Sequence, residues 1–244
     1  MSSDLVYNQR MNQPISCQPL REFDLLLFDL DGTLVDSRRD IHACANHMLR
    51  TLGLPEKDLE TVIATVGNGV ETHVTSLIGE GNMHRHAEGV AVFRSYMGIL
   101  DDFKTELYEG TKETLEYFSD IKKAIVTNRP TDSARYTLER LGIITHFDCI
   151  FGGDVIGQLK PSPWMIDQAS EKFAVDKTRI LMIGDMDADV LAGKNAGVTT
   201  CAARYGLLPR DHIFVVAPDF EISAIHQLKC LVKSKDEERP RVTF

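Results

Sequence analysis

The sequence predicts an α/β fold, a doubly wound, Rossmann-like parallel sheet with an inserted all-helical cap domain. Short apolar runs, typical of buried parallel strands, alternate with helical patterns from residue 108 onward. An earlier apolar run, DLLLF at 24–28, stops at polar residues, as a buried strand does before a turn. The segment between these two parts has helical patterns and no convincing strand, so we interpret it as an insertion after the first strand.

The individual elements follow from apolar periodicity and from residues that begin helices. Ser37 is a suitable N-cap for the first helix of the insertion. After the insertion, helices are predicted at 111–119, at 132–141, from about residue 163, through Leu191 and, as the last element, at 221–233. The strands between them are predicted at 123–127, 147–151, 179–185 and 198–202.

These elements divide the chain into a core, a cap and two terminal segments. The core is predicted to consist of residues 23–37 and 103–233, and the helical cap of residues 38–102. Residues 1–22 are predicted to form a flexible N-terminal extension, and residues 234–244 a charged C-terminal tail.

The composition limits the classes of partner. The formal net charge is −9 and the isoelectric point about 5.4, with no stripe of Lys and Arg, which argues against nucleic acid. No stretch has the apolar length of a signal peptide or of a bilayer span, so no membrane partner is expected. The five cysteines are scattered without CxxC spacing, which favours neither a disulfide framework nor a zinc site. We therefore expect a cytoplasmic protein, as a monomer or a homodimer.

Polar residues lie at the predicted carboxyl ends of the strands, where open parallel sheets bind their ligands. They are Asp29, Asp31, Gly32 and Thr33 after the first strand, Thr127 and Asn128 after the next, Lys160 in a loop, and Asp185 and Asp189 later. Several carboxylates at one point would raise one another's pKa unless a divalent cation kept them ionised. Mg²⁺ is the expected cation because it prefers oxygen ligands, and the candidate metal ligands are Asp29, Asp31, Asp185 and Asp189.

Two of these residues fit the chemistry of phosphoryl transfer. The Asp29 carboxylate can attack phosphorus and form an acyl phosphate that water later cleaves. Asp31 can give a proton to the leaving group and later take one from the attacking water. Gly32 permits a tight turn directly after them.

The other polar residues are candidate phosphate ligands. The Thr127 hydroxyl and the Asn128 amide can donate hydrogen bonds to the phosphoryl group, and Lys160 can neutralise its charge. Gly32 and Thr33, next to the nucleophile, complete the predicted substrate-binding set in the core. The expected partner is a small phosphorylated metabolite.

Four segments of the sequence resemble the signature motifs of the haloacid dehalogenase superfamily, in the order found in that family. They are LFDLDGTLVDS at 27–37, VTN at 126–128, LKP at 159–161 and GDMDADVLAGKNAG at 184–197. The resemblance implies that Asp29 is the nucleophile and that Asp31 is the acid/base, with its backbone carbonyl on magnesium. It also implies that Thr127 and Lys160 contact the phosphate and that Asp185 binds the metal.

The insertion resembles the smaller helical cap class of the superfamily, and three segments look most like the phosphoglycolate phosphatase branch. They are TVGNGVETHV at 65–74, YEGTKETLEYF at 108–118 and TNRPTDSARYTLERLGI at 127–143. Because the loop around Asn68 resembles the specificity loop of the family, we expect Asn68 to face the active site from the cap. The resemblance thus implies hydrolysis of a small phosphate monoester, with Mg²⁺ as cofactor.

Other interpretations stay open at this point. The same core could serve a sugar phosphomutase, a sugar phosphatase or a pyrophosphatase, and a fold without catalysis could be a phosphate-binding module. His73, His84 and His86 could suggest a metal cluster, but histidines on the surface of helices are the more common explanation.

Overall fold

The computed structural model describes residues 21–97, 103–155, 157–207, 209, 212 and 214–234. The strands in chain order are β1 Leu25–Phe28, β2 Val35–Asp36, β3 Glu106–Leu107, β4 Lys122–Val126, β5 Cys149–Phe151, β6 Ile180–Gly184, β7 Thr199–Ala203 and β8 Phe220–Ile222. Six of them form one sheet in the order β5-β4-β1-β6-β7-β8, and every pairing in it is parallel. The predicted core strands are confirmed, with ends shifted by one or two residues.

Strand β1 lies in the middle of this sheet and is buried on both faces. Leu26 and Phe28 belong to one apolar cluster, whereas Leu25 and Leu27 belong to a second cluster on the opposite face. Because alternate side chains of a strand point to opposite faces, both faces must be covered by other elements. The uninterrupted apolar run of β1 is therefore explained by a doubly wound sheet.

The helices occupy two parts of the chain. The cap helices are α1 Arg38–Thr51, α2 Leu59–Ile63, α3 Gly69–Ile78 and α4 His86–Met97, and the core helices are α5 Thr111–Tyr117, α6 Thr131–Arg140, α7 Trp164–Phe173 and α8 Asp187–Ala196. The cap helices pack around their own buried cluster, which includes Met48, Val74 and Phe93. The predicted all-helical insertion is confirmed, and no strand occurs between residues 38 and 97.

A short ribbon, which the sequence did not predict, joins the two parts. Strand β2 pairs antiparallel with β3, so the chain leaves and re-enters the core at adjacent points. Asp40, in the first turn of α1, accepts hydrogen bonds from the backbone N–H groups of Lys104 and Thr105, both at 2.9 Å. The two connections between cap and core are thus held side by side.

The prediction of a last helix at 221–233 is wrong. Residues Phe220–Ile222 form the edge strand β8, and a 3-10 helix follows at Ile225–Cys230. The buried residues Ile222, Ile225 and Leu228 are three apart, which fits an amphipathic α-helix as well as the observed 3-10 turn. The strand depends on pairing with β7, which a local pattern does not show.

The terminal predictions fall mostly beyond the described part of the chain. Residues 1–20 of the predicted extension and 235–244 of the predicted tail lie outside the described residues. Arg21, by contrast, pairs with the strand-like segment around Val232. No helix in the part that the structure describes has the length and apolar character needed to cross a membrane.

The cysteines differ from expectation at one position. Cys44, Cys149 and Cys201 are free, whereas Cys230 is disulfide-bonded. Spacing along the chain was no guide to this bond, because pairing depends on the distance between two cysteines in the fold.

Candidate active site

The candidate active site lies where three neighbouring strands end. Asp29 follows β1 directly, Thr127 follows β4, and Asp185 follows β6. Because β4, β1 and β6 are adjacent and parallel, their carboxyl ends place these three residues at one edge of the sheet, with Asp29 in the middle. These polar residues therefore lie together at the carboxyl end of the sheet, which is where the sequence predicted the site.

Three of the four candidate metal ligands form one buried cluster. Carboxylate oxygens of Asp29, Asp185 and Asp189 all lie within 4.8 Å of one another, and the residues are 5%, 1% and 1% exposed. Gly32 makes this approach feasible, because a Cβ at that position would collide with the Asp185 carboxylate, and its φ of 87° also favours glycine. A glycine in this turn is thus required by the acidic cluster as well as by the backbone.

Lys160 neutralises part of the cluster. Its Nζ donates to Asp29 Oδ1 at 2.7 Å, to Asp189 Oδ1 at 2.6 Å and to the Val126 carbonyl at 2.8 Å. Burial alone would lower the pKa of this amine, but the two carboxylates outweigh burial and raise it. Lys160 therefore carries its charge inside the site, and its predicted contact with phosphate stays a prediction.

One ammonium group does not balance three buried carboxylates. Burial raises the pKa of Asp29 to about 7, although Lys160 opposes the shift. Burial also raises the pKa of Asp185 well above its ordinary value, and the Asp29 and Asp189 carboxylates add to this effect. Asp185 Oδ2 accepts a hydrogen bond from the Leu207 backbone N–H at 2.7 Å, while the buried Oδ1 has no partner. An unpartnered buried oxygen in an acidic cluster fits a bound divalent cation held by Asp29, Asp185 and Asp189.

The side chain of Asp31, the fourth candidate ligand, lies apart from this cluster. Arg129 donates to both of its carboxylate oxygens, from Nε to Oδ2 at 2.9 Å and from Nη2 to Oδ1 at 2.5 Å. The Ser37 hydroxyl also donates to Oδ1, at 2.5 Å. Ser37 occupies the N-cap position of α1, as predicted, but makes no side-chain capping bond. The Ser37 hydroxyl therefore positions Asp31, the predicted acid/base, and does not cap α1.

Arg129 is the main site residue that the sequence analysis missed. Its side chain is 8% exposed, and Nη1 donates to the Thr137 hydroxyl at 3.0 Å. Burial disfavours the guanidinium charge, but Asp31 more than offsets this and the pKa of Arg129 is raised. The available signal was its position directly after Thr127 and Asn128, at the end of a buried strand, where a charged residue needs a partner.

Asn128 links the core to the cap. Its amide nitrogen donates to the carbonyls of Gly67 at 2.7 Å and Lys160 at 3.0 Å, and its carbonyl accepts from the Lys160 N–H at 2.8 Å. The Asn128 side chain is thus hydrogen-bonded within the protein, whereas the sequence predicted that it would donate to a phosphoryl group. Thr127 is 2% exposed and lines the same cavity as Asp29. Its predicted contact with phosphate stays a prediction.

The cavity beside Asp29 is lined by residues of both the core and the cap. The core side contributes the polar residues Asp29, Asp31, Thr127, Asn128, Arg129, Lys160 and Asp189. The cap side is lined by Ile41, Val66, Gly67, Gly69, Val70, His73 and Met97. A small ligand in this cavity would therefore meet charged groups at one end and mostly apolar groups at the other.

Three predicted substrate-binding residues do not line this cavity. Asn68 is exposed, although the glycines on either side of it border the cavity. Gly32 lies against Asp185, and the buried Thr33 has its hydroxyl without a hydrogen-bond partner. The cap loop approaches the site as predicted, but through backbone and glycines and not through the Asn68 side chain.

The expectation that the cap histidines are surface residues is wrong for His73. This residue is 4% exposed on α3 and borders the cavity, whereas His84 is exposed. His73 shares a helix face with Val70, Val74 and Leu77, all of them buried. A histidine within an apolar stripe was the available signal, and among the described residues the histidines form no metal cluster.

The fold and the site together define a doubly wound α/β protein with an acidic, lysine-containing centre beneath a helical cap. Residues 26–203 match the haloacid dehalogenase-like hydrolase family. The chain is 31% identical over 217 residues to a phosphoglycolate phosphatase from Vibrio parahaemolyticus, covering 85% of this chain and 95% of that protein. It is 33% identical over 201 residues to a phosphoglycolate phosphatase from Aquifex aeolicus, covering 82% and 92%.

Solved structures agree with these sequence relatives. A crystal structure described as a predicted phosphoglycolate phosphatase from Haemophilus somnus matches with a TM-score of 0.75 at 26% identity, covering 86% of this chain and 97% of that one. A haloacid dehalogenase-like family protein from Streptococcus pneumoniae matches with a TM-score of 0.76 at 25% identity, covering 84% and 96%. The chain therefore belongs to the haloacid dehalogenase-like hydrolase family and is a phosphatase, which confirms the resemblance seen in the sequence.

Proposed function

We propose that this protein hydrolyses a small phosphate monoester with Mg²⁺ as cofactor, through an aspartyl-phosphate intermediate on Asp29. One observation carries the proposal: Asp29 lies in a buried triad of carboxylates beside Lys160 and also lines the cavity beneath the cap. A bound Mg²⁺ would balance the negative charge of the triad and of the phosphate. The names of the two curated relatives, both phosphoglycolate phosphatases, support a small phosphate ester as substrate.

In the first step, Asp29 attacks phosphorus. Lys160 holds Asp29 Oδ1, so Oδ2 is the oxygen that forms the new bond to phosphorus while the ester P–O bond breaks. The Thr127 hydroxyl and the Lys160 ammonium lie around the same cavity and stabilise charge on the phosphoryl oxygens. The product of this step is an acyl phosphate on Asp29 and an alcohol that needs a proton.

Asp31 supplies that proton and recovers it in the second step. The protonated carboxyl gives its proton to the leaving oxygen, and the resulting carboxylate then takes a proton from the water that attacks the acyl phosphate. Arg129 and Ser37 hold the Asp31 carboxylate at the edge of the cavity, an arrangement that suits the base of the second step, and the acid role in the first step requires Asp31 to give up one of these contacts. The second step releases inorganic phosphate and restores the Asp29 carboxylate.

We also propose that residues 38–102 act as a lid. The hydrogen bond from Asn128 to the Gly67 carbonyl and the cap residues that line the cavity support closure over a bound ester. Closure excludes bulk water from the acyl phosphate until the alcohol has left. The two connections between cap and core, which lie side by side at Asp40 and the antiparallel β2–β3 ribbon, are the points about which such a lid would move.

The test is a phosphate-release assay with 2-phosphoglycolate, sugar phosphates, nucleotides and pyrophosphate, each with and without Mg²⁺. We expect release that stops on addition of a chelator and returns with excess Mg²⁺. The Asp29→Asn variant should be inactive and should unfold at the same temperature as the parent protein or higher, because it removes one of three crowded buried carboxylates while Lys160 keeps its ion pair with Asp189. Full activity of this variant would refute the assignment, and formation of an isomer without release of phosphate would indicate a mutase.

A further inference from the structure

Apart from the charged core residues, most of the cavity lining is apolar. Six of the lining residues carry aliphatic or thioether side chains: Ile41, Val66, Val70, Met97, Met186 and Leu207. The first four belong to the cap and the last two to the core, so apolar residues line the cavity from both parts of the protein. Such a lining favours a ligand whose own apolar surface covers it and excludes water.

Met186 connects the acidic cluster to the cap. It directly follows Asp185, and its backbone N–H donates to Asp189 Oδ2 at 2.9 Å, so its backbone is fixed between two of the acidic residues. Its side chain extends to the cap loop, because a Cβ added at Gly67 would lie 2.6 Å from Met186 Cε. Met186 is half-buried and lines the cavity. A leaving group that extends from the phosphorus atom toward the cap would therefore contact Met186.

The charged groups of the site leave no cation for a second anionic group on the substrate. Among the described side chains, two cations and four carboxylates line the cavity or belong to the acidic triad: Lys160, Arg129, Asp29, Asp31, Asp185 and Asp189. Both cations are already paired with carboxylates. The described lining holds no other lysine or arginine, and burial lowers the pKa of His73, which favours its neutral form.

A bound Mg²⁺ would balance the excess of carboxylates, and the phosphate group of the substrate then adds negative charge. A carboxylate on the leaving group would thus enter a site that is already negative, and it would lose its hydration against apolar side chains. An alkyl group of the same shape meets neither cost.

We propose that the leaving group of the substrate is an uncharged, apolar group and that Met186 is a specificity-determining residue that packs against it. The inference rests on the proposed function and narrows its substrate class. The preferred substrates are phosphate monoesters of apolar alcohols, in preference to esters of hydroxy acids such as 2-phosphoglycolate.

The test compares two esters of the same shape. Isobutyl phosphate has two methyl groups where 2-phosphoglycolate has its two carboxylate oxygens. We expect the parent protein to prefer isobutyl phosphate by about tenfold or more in kcat/KM. In the series from methyl to butyl phosphate, kcat/KM should rise about fourfold for each added methylene group. A parent protein that prefers 2-phosphoglycolate, or that treats the two esters equally, would overturn the proposal.

Variants of Met186 test its role in this preference. Met186→Gln keeps the length of the side chain but ends in an amide, so the ratio of the two kcat/KM values should fall about fivefold or more. Met186→Leu should keep the ratio, because leucine is apolar and of similar volume. The matched control Met83→Gln, at an exposed position of the cap, should also keep it. The ratio does not depend on how much of a variant is folded, and an unchanged ratio in Met186→Gln would overturn the role of Met186.

Calorimetry with two phosphonates tests the preference without turnover. In 3-methylbutylphosphonate and 3-phosphonopropionate, a methylene group replaces the ester oxygen of the same two substrates, so neither compound can be hydrolysed. In the presence of Mg²⁺ we expect the alkyl compound to bind about tenfold more tightly. Equal binding, tighter binding of the carboxylate compound or no binding of the alkyl compound would overturn the inference. Absence of phosphate release from every ester would instead count against the proposed function, and the phosphonates would still decide which group the cavity prefers.

Discussion

Arg129 illustrates how a single buried charge organises the site. Its guanidinium spans both oxygens of Asp31 and also contacts Thr137 of α6, so it ties the predicted acid/base to a core helix. Such a two-point contact fixes both the position and the orientation of the carboxylate. Loss of either partner would leave the other charge poorly compensated, since neither side chain is more than 15% exposed.

The Arg129→Ala variant should therefore be markedly less stable than the parent protein. We expect a loss of about 3 kcal/mol in the free energy of unfolding, the usual result of removing one partner of a buried ion pair. Urea denaturation measures this directly. The matched control is Arg135→Ala, an exposed arginine on α6, the helix that Arg129 contacts, which should change stability by less than about 0.5 kcal/mol. Equal effects of the two substitutions would contradict the role given to Arg129.

The sequence predicted the residues of the site better than their partners. Asp29, Thr127 and Asp185 meet at one sheet edge because each directly follows a strand that is visible in the chain, and the loop residue Lys160 and the helix residue Asp189 join them there. The ion pair of Asp31 with Arg129 joins residues 98 positions apart, and no local pattern encodes it. The orientation of Asn68 away from the cavity likewise depends on how the loop packs.

Among the elements, the cap loop before α3 lies directly against the core. Gly67 has a φ of 116°, and a Cβ at this position would lie 2.6 Å from Met186 Cε. On the other side of Asn68, a Cβ at Gly69 would lie 2.5 Å from Leu159 Cδ1. The loop can therefore sit over the strand ends because these two positions carry no side chain.

Replacing Gly67 with alanine should impair activity more than stability. The added methyl group would displace the end of the Met186 side chain, which lines the cavity, and strain the loop backbone at its positive φ, and we expect kcat/KM to fall roughly tenfold or more. Gly79→Ala is the matched control, because Gly79 also has a positive φ of 74° but faces open space. Both substitutions should cost about 1 kcal/mol of stability from backbone strain. Equal kcat/KM values for the two variants would contradict the proposed contact between cap and core.

At the level of elements, apolar runs predicted the buried strands well. A central parallel strand is buried on both faces, so its sequence is a nearly continuous apolar run. The elements that were missed are those that depend on a distant partner. The β2–β3 ribbon joins Val35 to Leu107, and β8 exists through its pairing with β7. Two- and three-residue strands of this kind have no periodicity of their own to detect.

At the level of the whole molecule, the buried carboxylates link stability to pH and to a bound cation. The pKa of Asp29 is about 7 in the folded protein, against an ordinary value of 3.8. At a pH between 3.8 and about 7, the Asp29 carboxyl is therefore ionised in the unfolded chain and protonated in the folded protein. The contribution of Asp29 to stability therefore falls as the pH rises through this window, in the absence of a metal ion.

Mg²⁺ should reverse this loss, because it binds the ionised carboxylates. At one hundred times its Kd, the ion should raise the free energy of unfolding by about 2.7 kcal/mol at pH 8. The gain should be smaller at pH 5, where protons compete for the same oxygens. Thermal unfolding with Mg²⁺ or with a chelator at both pH values measures this. The Asp185→Asn variant should show little gain, and an equal gain in that variant would place the ion elsewhere.

The central claim is that phosphate passes through a covalent bond to Asp29, and trapping that bond tests it most directly. The protein is mixed with a substrate ester and Mg²⁺, quenched within one turnover and treated with borohydride, which reduces an acyl phosphate to an alcohol. Peptide mass spectrometry should then find homoserine in place of Asp29, and unchanged aspartate in a sample without substrate. Phosphate release with no modification at Asp29 under these conditions, or modification at another carboxylate, would contradict the account.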